Sequence, residues 1–368
     1  MPPAPALVPI VDLASPTAAA DLAAAAASLG CAYLTHHGVP AATRDALFAA
    51  TAAFFGQPAE VKAAIAADTN FRGFTPLGDE SLALADSAGD GPQPAGGPSP
   101  TCPPGQPAPP PPAAGDRKEG LYFGRDLPAG HPLPLHGPNQ WPAGLPGFRG
   151  AVEAAQASLE ECSERLVPLL GAGLGGGEAS TAFEAAFLTR PRQAMAFLRP
   201  LHYPPLPADA GAGGGPPTLG AGEHTDYGFL TLLLVAGGAP GLEIELPGGA
   251  WAPVPPGPAP EQPGQRGDTT WPLFFNCGDM LHRWSGGRYA SARHRVAAPP
   301  PGAPARFSAA FFYDPPGDCV CAPVGEVDDA TRARWPPVRY LEYLQGRFSA
   351  THASYEAATG GGGEGWVG

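Results

Sequence analysis

No lysine or arginine precedes Arg44, and nowhere does the chain run for about 20 apolar residues without a glycine or proline. The first absence argues against a leader with a charged start and against an Arg-rich transit peptide. The second argues against a membrane-spanning helix. Positive charge is scarce throughout: 21 Lys and Arg stand against 34 Asp and Glu, a formal net charge of −13. Such a surface repels a phosphate backbone, and no basic run or basic–aromatic patch offsets it, so nucleic acid is not an expected partner. The six cysteines (Cys31, Cys102, Cys162, Cys277, Cys319 and Cys321) include no CxxC pair, and a chain of 368 residues needs no disulfide staples. Cys319 and Cys321 form a lone CxC, too few thiols for a metal site, and read as buried free thiols. The expectation is a cytoplasmic protein, monomeric by default, with its oligomeric state left open.

What the chain has in excess is glycine and proline, 51 of each. They cluster, so a normal fold carrying Pro/Gly-rich insertions is expected. Residues 86–115 are almost all Gly, Pro, Ala, Ser and Asp. They hold too little apolar area to offset the entropy of ordering and read as a flexible insertion. Before and after it, residues 1–190 read as a mainly helical region. A strand spans about 8–13, and helices cover about 17–29, 41–55, 58–66 and 147–170. Ser15-Pro16 would cap the first helix. Val152, Leu159, Cys162 and Leu166 keep one face of the last helix apolar. Residues 191–325 change character, with short apolar runs at 195–199, 229–235, 242–246, 272–276 and 306–313 separated by turns and Pro/Gly loops. That pattern reads as a sandwich or barrel of strands. Residues 326–368 return to helix, at about 329–347, and end in a Gly-rich tail.

His224-Thr225-Asp226 is the first chemical signal. On a strand, residues i and i+2 share a face, so an imidazole and a carboxylate can meet one ion. His294, far downstream, completes two histidines and one carboxylate, the facial triad that leaves positions open on Fe(II) for dioxygen chemistry. Arg306-Phe307-Ser308 then places a guanidinium and a hydroxyl on one strand face. An arginine fork matches a carboxylate bidentately. The pair suits the distal carboxylate of 2-oxoglutarate, whose keto-acid end would chelate the iron.

These residues lie in segments that resemble the isopenicillin N synthase-like superfamily of Fe(II)/2-oxoglutarate-dependent dioxygenases. HTDYGFLTLLL (224–234), FFNCGDMLHRWSGGRYASARHRV (274–296) and RFSAAFFYDP (306–315) match the family's core in order. VPIVDL (8–13), GCAYLTHHGVP (30–40), FFGQPAEVK (54–62), FRGF (71–74), DRKEGLYFG (116–124) and GPNQWP (137–142) match its N-terminal half. The resemblance implies a mainly β fold with flanking helices around a distorted double-stranded β-helix, or jelly roll. It implies His224, Asp226 and His294 as iron ligands and Arg306 and Ser308 as the 2-oxoglutarate site. Tyr203, in LRPLHYPP (198–205), stands where members often place a tyrosine against the co-substrate, and Leu201 where many plant members have asparagine. Asn276 and Asp279 read as turn-forming and structural, His282 as a turn or surface residue, and His36-His37 as a structural turn. Phe229, Leu232 and Phe312 read as core residues that could also line a pocket.

The implied reaction uses Fe(II), 2-oxoglutarate and O2 to hydroxylate or desaturate a small organic substrate, releasing succinate and CO2. Two other readings stay open from sequence. One is an Fe(II) oxidase of the same fold that needs no 2-oxoglutarate; the other is a non-catalytic binding or sensor protein.

Overall fold

The computed structural model describes residues 7–82, 115–190, 192–208, 218–255 and 271–351. The insertion expected at 86–115 (apart from Gly115) and the Gly-rich tail lie outside the described residues.

The chain opens with β1 (Ile10–Asp12), α1 (Ala18–Ser28) and β2 (Cys31–Thr35), a crossover unit in which β1 and β2 pair in parallel. Helix α1 begins at Ala18, later than a Ser15 cap would place it; Ser15 Oγ instead accepts from the Thr17 amide. Gly30 joins α1 to β2 at φ 69°, and a Cβ there would sit 2.2 Å from the Ala290 carbonyl oxygen, so only glycine fits. Next come α2 (Ala41–Phe55), α3 (Ala59–Ala63), β3 (Gly73–Thr75) and β4 (Glu119–Tyr122). The long α4 (Phe148–Gly173) follows, then α5 (Glu178–Phe187). Val152, Ala155, Leu159, Cys162, Leu166 and Leu170 recur at three- and four-residue spacing and are all buried. Each such leucine contributes roughly 1.5–3 kcal/mol of burial. This stripe seats α4 against α1, α2 and α5 and onto the back of the central sheet.

The second half supplies β5 (Met195–Tyr203), β6 (Leu219–His224), β7 (Leu230–Val235), β8 (Leu242–Glu245), β9 (Trp251–Pro253) and β10 (Leu273–Cys277). It continues with α6 (Asp279–Trp284), β11 (His294–Ala297), β12 (Arg306–Asp314), β13 (Val320–Cys321), α7 (Asp329–Arg334), β14 (Val338–Arg339) and α8 (Tyr340–Thr351). The single helix expected at about 329–347 is thus two, because Pro336-Pro337 cannot continue α7.

The strands form two main sheets. The larger runs β1-β2-β10-β7-β12-β5-β4-β3, and the smaller β6-β11-β8-β9. This is the mainly β, helix-flanked jelly roll. Four strands of the larger sheet come from upstream of α4. Strand alternation gives that sheet two different faces. On β12, Ala309, Phe311 and Tyr313 join the helix-side core, while Arg306, Ser308, Ala310 and Phe312 face the smaller sheet. On β5, β7 and β10 the inward positions are Arg199, Leu201 and Tyr203; Thr231 and Leu233; and Phe274 and Asn276. The functional side chains therefore share one interior between the sheets. Among the described residues no helix is long and apolar enough to cross a membrane.

Candidate metal centre and co-substrate cavity

His224 is the last residue of β6 and His294 the first of β11. These strands pair antiparallel with the two histidines directly opposite, their ring centres 4.2 Å apart. Register therefore closes the long sequence gap. Asp226 does not lie on the strand, as the i, i+2 reading expected: β6 ends at His224 and Asp226 stands in the turn that follows. Backbone contacts hold that turn. The Asp279 amide donates to the Asp226 carbonyl at 2.8 Å, and a Cβ on Gly278 would lie 2.3 Å from the Gly228 carbonyl oxygen.

Asp226 Oδ1 lies 3.9 Å from His224 Nε2 and 3.8 Å from His294 Nε2, and one donor atom from each residue falls within 4.8 Å of the others. The remaining polar atoms are already engaged. His224 Nδ1–H donates to the Gly222 carbonyl at 2.7 Å, and His294 Nδ1–H to the Ala292 carbonyl at 2.9 Å. Both Nε2 lone pairs thus face the gap. Asp226 Oδ2 accepts from Thr231 Oγ1 at 2.6 Å and Asn276 Nδ2 at 2.8 Å, which leaves Oδ1 toward the histidines. Thr231 and Asn276 are cross-strand partners on β7 and β10, so the sheet itself sets both donors.

Burial, and after it the neighbouring His294, pushes the His224 pKa down to about 3, so its ring is uncharged and free to ligate near neutral pH. Burial opposes ionisation of Asp226, but His294, His224 and the two hydrogen bonds outweigh it and hold the carboxyl below its ordinary range. Two imidazoles and one ionised carboxylate fit the donor set of a facial Fe(II) site.

The same cavity contains Arg306, Ser308, Tyr203 and Leu201. Arg306 Nη1 donates to Ser308 Oγ at 3.0 Å, and its guanidinium lies 4.9 Å from the centre of the Tyr203 ring. In register, Arg306 pairs with Tyr203 and Ser308 with Leu201 across β12 and β5. Arg306 is 3% exposed, burial lowers its pKa, and no carboxylate among the described residues pairs with it. A buried guanidinium without a counter-ion is suited to receive an anion.

Asn276 is a strand residue rather than a turn former. Asp279 opens α6, where it accepts from Thr225 Oγ1 at 3.0 Å and Ser291 Oγ at 2.7 Å, bracing the segments on either side of the triad. His282 faces away: its Nδ1 bonds the Tyr289 carbonyl and its ring packs on Trp335. His37 is buried against Trp271, and burial pushes its pKa to about 4. Phe229 packs among Phe183, Phe187 and Trp284, and Leu232 in the helix-side core, whereas Phe312 lines the cavity. Sequence reasoning does not single out Thr231, Lys118, Glu80 or Arg199. For Arg199 the signal is present, since 199, 201 and 203 alternate on one strand.

Two family models match the chain. Residues 8–144 match the N-terminal region of non-haem dioxygenases in morphine synthesis, and residues 192–315 the 2OG-Fe(II) oxygenase superfamily. The 2-oxoglutarate-dependent dioxygenase tropC of Talaromyces stipitatus is 32% identical over 293 residues, covering 76% of this chain and 74% of that protein. The 2-oxoglutarate-dependent dioxygenase citB of Monascus ruber is 30% identical over 305 residues, covering 80% and 77%. A solved 2OG-Fe(II) oxygenase family protein of Caulobacter crescentus superposes with a TM-score of 0.70 at 28% identity, over 94% of this chain and 99% of that one. A full-length Neurospora crassa protein, solved in complex with alpha-KG, shares the fold at a TM-score of 0.71 and 24% identity, over 93% and 96%. The chain belongs to the 2OG-Fe(II) oxygenase superfamily and is a non-haem dioxygenase that works with Fe(II), 2-oxoglutarate and O2.

Proposed function

We propose that His224, Asp226 and His294 hold the iron through Nε2, Oδ1 and Nε2, and that Arg306, Ser308 and Tyr203 seat the C5 carboxylate of 2-oxoglutarate. The substrate is a small organic molecule, which is hydroxylated or desaturated as succinate and CO2 are released. The observation that carries this reading is Arg306, a buried cation without a carboxylate partner among the described residues, in the same cavity as three converging ligand atoms. The bound iron and co-substrate supply the activation of O2. The chain's own residues do the rest. Gly222 and Ala292 carbonyls fix the imidazole tautomers, Thr231 and Asn276 orient the carboxylate, and Arg306 with Ser308 fixes the far end of the co-substrate.

Anaerobic addition of Fe(II) and then 2-oxoglutarate, followed by visible absorbance, tests the assembly. A charge-transfer band that saturates stoichiometrically is the expected result, and the absence of a band with both present would end the reading. Asn276→Ala removes one of the two donors to Asp226 Oδ2. Iron affinity is expected to fall by roughly 10–100-fold, the usual cost of an outer partner. Iron titration of the apoprotein measures it, and an unchanged affinity would remove Asn276 from the site.

A further inference from the structure

Cys319 and Cys321 stand at the start of β13, outside the metal centre and its cavity. Both read as buried free thiols from sequence, but only Cys321 is fully buried; Cys319 is half-buried. Val320 between them is 58% exposed and faces outward, so the two thiols turn to the same inner side. There Cys321 Sγ–H donates to Cys319 Sγ at 4.0 Å. That donation, helped by Arg190, holds the Cys319 thiol below its ordinary range against burial and Asp318. The same contact, and after it burial, pushes Cys321 well up, so Cys321 keeps its proton. An accessible sulfur that ionises first, with an enclosed thiol behind it, is the arrangement of a nucleophile and a resolving partner. Cys31, Cys162 and Cys277 are all buried, and burial pushes the first two up to about 12 and the third well above its ordinary value.

Residues i and i+2 of a strand stand roughly 6.6 Å apart, at about 3.3 Å per residue. A disulfide favours Cα atoms about 5.5–6 Å apart, so a bond here is within reach but shortens the segment by up to roughly 1 Å. Such a strained bond is easily reduced again, which suits a reversible modification better than a staple. The shortening falls on a weak element. Strand β13 has two residues and, among the described residues, pairs only with β14, which runs straight into α8. The Tyr340 and Leu341 amides that open α8 donate to the Cys319 and Gly317 carbonyls at 2.9 and 3.0 Å. Further along α8, Leu344 and Phe348 wall a chamber bordered by His224 and Asp226.

We propose that Cys319 and Cys321 are a reversible dithiol site for small-molecule disulfides, and that its closure loosens the hold of the 317–319 backbone on α8. The Cys319 thiolate attacks one sulfur of a disulfide R–S–S–R, forming a Cys319–S–S–R bond and releasing one thiolate. The Cys321 thiol gives its proton to that leaving group and attacks the Cys319 sulfur. The Cys319–Cys321 bond forms, and the second leaving group takes up the proton that Cys319 had lost to solvent. The protein is oxidised by two electrons and the reagent is reduced to two thiols.

The test uses the Fe(II)-loaded protein under argon, equilibrated with glutathione disulfide and reduced glutathione over a range of ratios. After acid quenching, alkylation and tryptic cleavage, both cysteines fall in one peptide, Phe307–Arg332. At high disulfide ratio that peptide is expected to lose two hydrogens and take no alkylating label, and excess reduced glutathione should restore both thiols. Cys321→Ala lacks the second sulfur and should stall with glutathione on Cys319. Cys319→Ser should leave Cys321 unmodified at the same ratio. Hydrogen exchange at the Tyr340 and Leu341 amides should quicken by about 10-fold in the oxidised protein, the worth of one backbone hydrogen bond. Two alkylated thiols at every ratio, glutathione on Cys321 in the serine variant, or a bond from either thiol to another cysteine would overturn the dithiol site. Unchanged exchange in the oxidised native protein would overturn its hold on α8. The native-protein measurements decide both points if either variant folds poorly.

Discussion

Asp226→Ala is expected to bind no iron at the triad and to lose succinate formation by far more than the roughly 10–100-fold that an outer partner is worth. The expectation follows from how the carboxylate is divided. Oδ2 is committed to Thr231 Oγ1 and Asn276 Nδ2, and Oδ1 alone faces the two histidine Nε2 atoms. That division makes Asp226→Asn the sharper variant. The amide oxygen has two fixed donors to accept from, so it takes the Oδ2 position. Its NH2 is then turned toward the ion, where it offers hydrogens instead of a lone pair. The near-isosteric asparagine is therefore expected to be as inactive as alanine despite the preserved shape. Iron titration, succinate assay and circular dichroism together separate lost ligation from lost folding. An asparagine variant that folds, takes up iron and turns over at the native rate would show that Asp226 is not a ligand.

How far the sequence exposes this arrangement depends on the range of the interaction. The alternation of 199, 201 and 203 is local, but the run read there ends at 199 and the strand continues to Tyr203. That of Arg306 and Ser308 is equally local and survives in β12 as read. So does the apolar stripe of α4, because a helical face needs only neighbours three and four residues away. The meeting of His224 with His294 is instead a matter of register between β6 and β11, with β7, β8, β9 and β10 between them in sequence, and no local pattern encodes it. Strands β3 and β4 escape sequence reasoning for a related reason. At three and four residues they are too short to show a period, and they are strands because β5 offers an edge to β4 and β4 in turn offers one to β3. Turn geometry is also out of its reach. Asp226 lies beyond its strand, in a turn held where Gly278 lets its backbone approach Gly228 closely. Asp279, expected to form a turn, begins a helix and gives its amide to the Asp226 carbonyl.

Arg306→Leu is expected to move function and stability in opposite directions. In the native apoprotein the guanidinium is buried with a hydroxyl and a tyrosine ring as its company, and no carboxylate among the described residues offsets it. Removing an uncompensated buried charge in favour of an apolar side chain is neutral to stabilising. The apo variant should thus melt no lower than the native protein. Binding behaves otherwise, because the 2-oxoglutarate C5 carboxylate would enter the interior without its cation. Truncating one partner of a buried, hydrogen-bonded charge pair costs about 2–5 kcal/mol, so the dissociation constant for 2-oxoglutarate should rise by roughly 30-fold to several thousandfold. Arg306→Lys should fall between, since it keeps the charge but loses the two-pronged match. The stabilisation that the co-substrate gives the iron-loaded native protein, about 2.7 kcal/mol at a hundredfold excess over its dissociation constant, should fall below about 1 kcal/mol in the leucine variant at the same concentration. Thermal melts with and without 2-oxoglutarate read both effects. A variant that melts markedly lower than the native apoprotein, yet binds 2-oxoglutarate as before, would assign Arg306 to the core and leave the co-substrate's far carboxylate without an anchor.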